Sequence, residues 1–235
     1  MAVSTGFQNI EEAGLPIMQD VFGPILNRTV QLTLTGVKEA GKDDLMAAFP
    51  EPPVVVEAPV EGAAEGVQYF LFSQRLAAAI TDLMVMGDGT APFSEEESLD
   101  GVSEATNQIV GALSTFWSEK LPTEIRPAGA KARLLNWEEA DLPFDDLVRV
   151  DYTLNVEDWG EDHFSKLVPA RLMEILAPVA EVVAAASAGA APGAAPGIGG
   201  PMEPAEAGET TVKPAEFAAF DVGAGGIETH PEAPK

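Results

Sequence analysis

The sequence predicts an α+β fold of the mixed α/β kind, with a central sheet packed against long helices. Three observations lead there. Segments of helical spacing alternate with segments of two-residue alternation along the first 182 residues. One short stretch, Val67 to Phe72, is apolar on both faces, as a strand covered on both sides must be. Hydrophobic residues make up 46% of the 235-residue chain, enough to bury a sizeable core.

Each element has its own signal. Ile10 to Leu26 places Ile10, Leu15, Met18, Phe22 and Leu26 on one helical face despite Pro16 and Pro24. In Val30 to Thr35, Val30, Leu32 and Leu34 face one way and Gln31, Thr33 and Thr35 the other, the pattern of a half-buried strand. Val54 to Glu57 is a second short strand, and Val67 to Phe72 a central one. Arg75 to Met86 is helical, ended by Gly87-Asp88-Gly89. Ser94 to Lys120 is the longest helical pattern, and Ala132 to Trp137 a further strand. Leu147 to Val156 alternates most cleanly, with Val148, Val150, Tyr152, Leu154 and Val156 on one side. Phe164 to Val183 reads as the final helix, with Phe164, Leu167, Leu172, Ile175, Leu176 and Val179 as its buried stripe and His163 just before its start. A long helix followed by a strand occurs twice, around 10–35 and 94–137, which points to an internal duplication.

Composition shifts near residue 183, so the expected organisation is a folded domain over 1–182 and an Ala/Gly/Pro-rich flexible linker or tail over 183–235. Ala, Gly and Pro fill 31 of those last 53 residues, and such a stretch buries too little apolar surface to offset chain entropy. Across the whole chain, 13 basic residues face 38 acidic ones, a net charge of −25. That excludes nucleic acid as a main ligand and disfavours an anionic membrane surface. With no Cys and two His far apart in sequence, thiolate metal sites, multi-histidine sites and a Ser–His–Asp relay are not expected. Nor is membrane insertion: no apolar run approaches the roughly 20 residues that span a bilayer, and MAVSTGFQNIEE lacks the basic start of a signal peptide. The expectation is a soluble, acidic, cytoplasmic protein.

Leu99 to Trp117 carries the chemistry-bearing pattern. At about 100° per residue, Leu99, Val102, Thr106, Ile109, Val110, Leu113, Phe116 and Trp117 form a core stripe. Asp100, Glu104, Asn107 and Gly111 form a second stripe, about 135° away by the same geometry. A row of acids on a wet helix face is commonplace, but a mid-helix Asn is less so, because its carboxamide competes for backbone hydrogen bonds. Asn155-x-Glu157-x-Trp159-Gly160 faintly echoes a calcium loop, yet Lys166 stands where a bidentate Glu is needed, so these are expected to be turn residues.

The pattern Asp100-x-x-x-Glu104-x-x-Asn107-x-x-x-Gly111 resembles the signature helix of the CheC/CheX/FliY phosphatases of bacterial chemotaxis. Upstream, ITDLMVMGDGT (Ile80 to Thr90) is similar to the family's segment leading into that helix. Downstream, LVRVDYTLNVEDWGEDHFSKLVPARLMEIL (Leu147 to Leu176) is similar to its strand, turn and final helix. The resemblance implies a CheC-like, pseudo-duplicated domain acting on the aspartyl phosphate of the response regulator CheY. It implies that Glu104 docks against a regulator Lys and Asn107 orients the attacking water, with Asp100 and Gly111 in support. It also implies Mg²⁺ on the regulator and no cofactor or metal on this chain, flagellar switch proteins as further partners, and a place at the flagellar basal body. The alternative within the same fold is a non-catalytic motor switch or scaffold module. The first helix lacks the motif, so Glu11 and Glu12 are expected to be inert. In the family a linker of this kind commonly continues into a SpoA domain.

Overall fold

The computed structural model describes residues 5–62, 65–122, 124–140 and 142–189; the expected tail lies, from 190 onward, outside the described residues. In chain order the elements are α1 (Thr5–Leu26), β1 (Val30–Glu39), α2 (Lys42–Ala48), β2 (Val54–Gly62), β3 (Gly66–Phe72), α3 (Gln74–Met84), α4 (Glu95–Ser118), β4 (Ile125–Pro127), β5 (Lys131–Leu134), a 3₁₀ turn (Phe144–Asp146), β6 (Leu147–Val156), β7 (Gly160–Pro169) and α5 (Ala170–Gly189). The seven strands form one sheet in the order β1-β6-β7-β3-β2-β4, with β5 also on β2. Every described pairing is antiparallel, so the expected α+β class mixes helix with strand, not strand directions.

The strand order is symmetric about its centre. An α-β-β-β-α run from α1 to α3, with α2 inserted, is echoed by one from α4 to α5 in which β4 and β5 take the place of β1. In each run the first strand pairs with the hairpin of the other run: β1 with β6, and β4 and β5 with β2. The two hairpins meet at the middle through β3 and β7. The duplication expected from the sequence is thus present in the topology, with the first strands exchanged between halves.

Local chemistry explains the helix ends. Ser73 caps α3, its hydroxyl accepting the Leu76 N–H at 2.9 Å. Three acids, Glu95 to Glu97, fill the first turn of α4, where the helix dipole favours negative charge. The Ser98 hydroxyl reaches back to accept the Ser94 N–H at 3.1 Å.

Four long helices cover one sheet face. Met18, Phe22, Ile80, Val102, Ile109, Leu113, Trp117, Leu172 and Leu176 pack there on Val56, Phe70, Phe72, Val150, Tyr152 and Phe164. A smaller cluster on the other face joins Leu45, Phe49, Val55, Leu71, Leu135 and Leu167. One charged pair sits inside the main core. Lys166 stands in the centre of the helix-covered face, opposite Phe70 on one side and Val150 on the other. Its Nζ donates to both Glu11 carboxylate oxygens, at 2.8 and 2.9 Å. Tyr152 Oη donates to the same carboxylate at 2.5 Å. Lys166 and Glu11 are 1% and 3% exposed, so Glu11 is a core residue of α1. Removing either charge would strand the other in the core.

The region after residue 156 departs from expectation. Phe164 to Pro169, expected as the start of the final helix, belongs to the strand Gly160–Pro169, and the helix begins only at Ala170. Asp158 (φ 65°) and Gly160 (φ 117°) make the turn that returns the chain as β7. Phe164 to Val168 are all buried, because β7 is central and covered on both faces. Such a strand shows no alternation, and a short continuous apolar run reads equally well as helix. His163 accordingly lies in a strand, its Nε2 3.3 Å from the Ala48 carbonyl.

Candidate functional site

The motif helix α4 lies over the β2, β4 and β5 side of the sheet. Its inner stripe is buried as expected: Val102, Thr106, Ile109, Val110, Leu113 and Trp117. Gly101 permits the close crossing with α3, since a Cβ there would come 2.2 Å from Thr81 Oγ1. The outer stripe faces away from the sheet. Asp100 and Glu104 are exposed, and Asn107 and Gly111 are half-buried. Nothing lies within 4 Å of where a Gly111 Cβ would stand, so the helix backbone there is open to an approaching surface.

Glu104 Oε1 accepts a hydrogen bond from Gln108 Nε2 at 3.0 Å, a weak exposed contact one turn along. Asn107 is more firmly placed. Its Oδ1 accepts the Ala130 N–H at 2.6 Å. One turn back, Ser103 Oγ accepts the Ala132 N–H at 3.0 Å. The loop between β4 and β5 is therefore pinned to the flank of α4, which is why Asn107 is less exposed than helical geometry predicts. Sequence reasoning missed this contact because β4 is only Ile125–Pro127, too short for a periodic signal. The sequence does carry a loop marker in Pro127-Ala128-Gly129-Ala130, with Gly129 at φ +87°.

The three segments that carry the resemblance form connected structure. In the upstream one, Asp82 Oδ2 accepts the Gly89 N–H at 2.7 Å, and Gly87 N–H donates to the Asp82 carbonyl at 2.8 Å. Asp88 accepts from the Thr90 hydroxyl and N–H, and these bonds hold its carboxyl below the usual carboxylate range. The downstream turn meets this segment where Trp159 Nε1 donates to the Gly89 carbonyl at 2.9 Å. A Cβ on Gly89 would fall 2.4 Å from that indole, and Arg75 stacks on its ring at 4.5 Å. The turn that leads into α4 is thus braced against the β6–β7 hairpin.

The surroundings suit a protein surface better than a small molecule. Beside the motif lies a shallow hollow of about 410 Å³, lined by Glu95, Glu96, Leu99, Asp100 and Ala132. Another cavity of about 370 Å³, between Glu39, Asp44, Phe144 and Ala170, has no motif residue in its lining. Among the described residues, no group of three or more His, Asp or Glu is placed to hold a metal ion. No described helix is long and apolar enough to cross a membrane.

The chain is 31% identical over 152 residues to the flagellar motor switch phosphatase FliY of Bacillus subtilis, a match covering 62% of this chain and 40% of that protein. It therefore spans less than half the length of that relative. Among solved structures it is similar to Thermotoga maritima FliY, with TM-score 0.66 and 25% identity over 75% of this chain and 96% of the other. The FliG–FliM complex from H. pylori matches with TM-score 0.60 at 14% identity, over 74% of this chain and 99% of the matched one, a likeness of fold. No family model matches the chain. In sequence and in fold the chain is similar to the flagellar switch protein FliY, consistent with the CheC/CheX/FliY family inferred from its motif helix.

Proposed function

We propose that this domain dephosphorylates the aspartyl phosphate of a CheY-type response regulator, docking through the outer stripe of α4. The observation that carries this reading is the pairing of an exposed Glu104 with a half-buried Asn107 on the outward face of one helix. Water attacks phosphorus in line, the bond from phosphorus to the regulator's carboxylate oxygen breaks, and the products are inorganic phosphate and the free aspartate. Positioning and charge stabilisation supply most of the catalysis in such transfers, so an Asn can serve without acting as a base. Glu104 pairs with a regulator Lys, while Asp100 and Gly111 shape the contact. The regulator brings its own Mg²⁺, and flagellar switch proteins at the basal body are the natural neighbours.

A second reading, a non-catalytic switch module, draws on the bond between Asn107 and Ala130, since a purely structural Asn would be held in the same way. Phosphate release from a purified phosphorylated regulator separates the two. Asn107→Ala should lower the rate about 10²-fold or more. Because it also leaves the Ala130 N–H without its partner, it should cost about 1 kcal/mol of stability. Glu104→Ala should weaken regulator binding in a salt-dependent way. A parent protein that adds nothing to the regulator's own decay would establish the switch module instead.

A further inference from the structure

We propose that the hydrogen bond between Asn107 and Ala130 is a latch: in the free protein the β4–β5 loop holds the site carboxamide back, and Asn107 becomes available only when that loop lets go. The inference rests on the reading of Asn107 as the water-positioning residue. A water that attacks phosphorus must aim a lone pair at it, so its hydrogens point away and need an acceptor. On a carboxamide the acceptor is Oδ1, the nitrogen being a donor only. Oδ1 is the atom that takes the Ala130 N–H at 2.6 Å, an assignment the backbone donor forces. The side chain is thus drawn towards its own loop, whereas positioning water at a docked partner requires it to extend outward.

The loop is built to move at modest cost. Arg126 to Gly129 are exposed. Gly129 sits at φ +87°, with nothing within 4 Å of its Cβ position. The loop spans only Ala128 to Ala130, between β4 and β5, both of which are paired on β2; beside the latch, Ala128 N–H donates to the Pro59 carbonyl at 3.0 Å and Ala132 N–H to Ser103 Oγ at 3.0 Å. Releasing a single neutral hydrogen bond shifts the available fraction by about three- to tenfold, a range suited to tuning a rate rather than abolishing it.

Ala130→Pro deletes the donor. With a receiver-domain regulator phosphorylated on its aspartate as probe, the folded variant should release phosphate about three- to tenfold faster than the parent. Ser103→Ala loosens the adjacent anchor and should raise the rate in the same direction. Independently of activity, hydrogen exchange at the Ala130 amide should be slow in the parent and faster in Asn107→Ala. A folded Ala130→Pro that is no faster overturns the latch. If that variant does not fold, an unchanged or slower Ser103→Ala overturns it. An active parent with no such rise defeats the latch alone, while an inactive parent defeats the phosphatase reading and the latch with it.

Discussion

Tyr152 and Asn107 show how a single side chain acquires a role that spacing does not reveal. Tyr152 was expected only as an inward residue of an alternating strand. Its hydroxyl is fully buried and donates to Glu11, and burial together with the adjacent carboxylate raises its pKa well above the ordinary 10.0. A folded-state pKa raised in this way means that the contribution of the hydroxyl to stability is fully present below pH 10 and is lost as pH rises through the folded value. In an alkaline titration, tyrosinate absorbance from Tyr152 should therefore rise together with the loss of far-ultraviolet circular dichroism. Tyr152→Phe should remove that step and leave the signal of Tyr69, the one other tyrosine. Ionisation of Tyr152 near pH 10 with the fold intact would contradict the packing described for Glu11. The site was legible to a similar depth. Helical spacing alone put Glu104 and Asn107 on one outward stripe, but no spacing rule says what a neighbouring loop will do to a carboxamide.

At the scale of the element, two glycines of α4 separate packing from propensity. Gly101 lies against Thr81 of α3, where a methyl group would approach Oγ1 to 2.2 Å and Cγ2 to 2.7 Å. Gly101→Ala should destabilise by about 1–3 kcal/mol through overpacking. Gly111 has open space at its Cβ position. Gly111→Ala should stabilise by about 0.5–1 kcal/mol, because Gly is the poorer helix former. Denaturant midpoints of the two variants should move in opposite directions; a shift in the same direction would mean that the crossing of α3 and α4 is misplaced. The elements also differ in how far they were readable. The helices Thr5–Leu26 and Glu95–Ser118 carry one dry face each, and Leu147–Val156 alternates from Val150 onward, so periodicity found all three. β7 escaped because both of its faces are dry, so its pattern has no period to detect. β4 and α2 escaped because three and seven residues are too few for a pattern to repeat.

Over the whole molecule, the exchange of first strands makes each half depend on the other. Chains covering residues 1–92 and 93–235 should each lack a cooperative unfolding transition, because β1 and β2 would lose partners supplied by the opposite half. Mixed together, they should regain the sheet and its circular dichroism; a half that unfolds cooperatively alone would refute the interdependence. The same strand order has a consequence for synthesis. The ribosome delivers α1 and β1 first, yet β1 pairs with β6, and Glu11 waits for Lys166, 155 residues further along the chain. Until the β6–β7 hairpin emerges, the nascent chain holds β1 apart from the β2–β3 ladder, with no strand between them. The strand order requires the hairpin to fill that gap, and only with β7 in place does the first helix have the last strand to rest on.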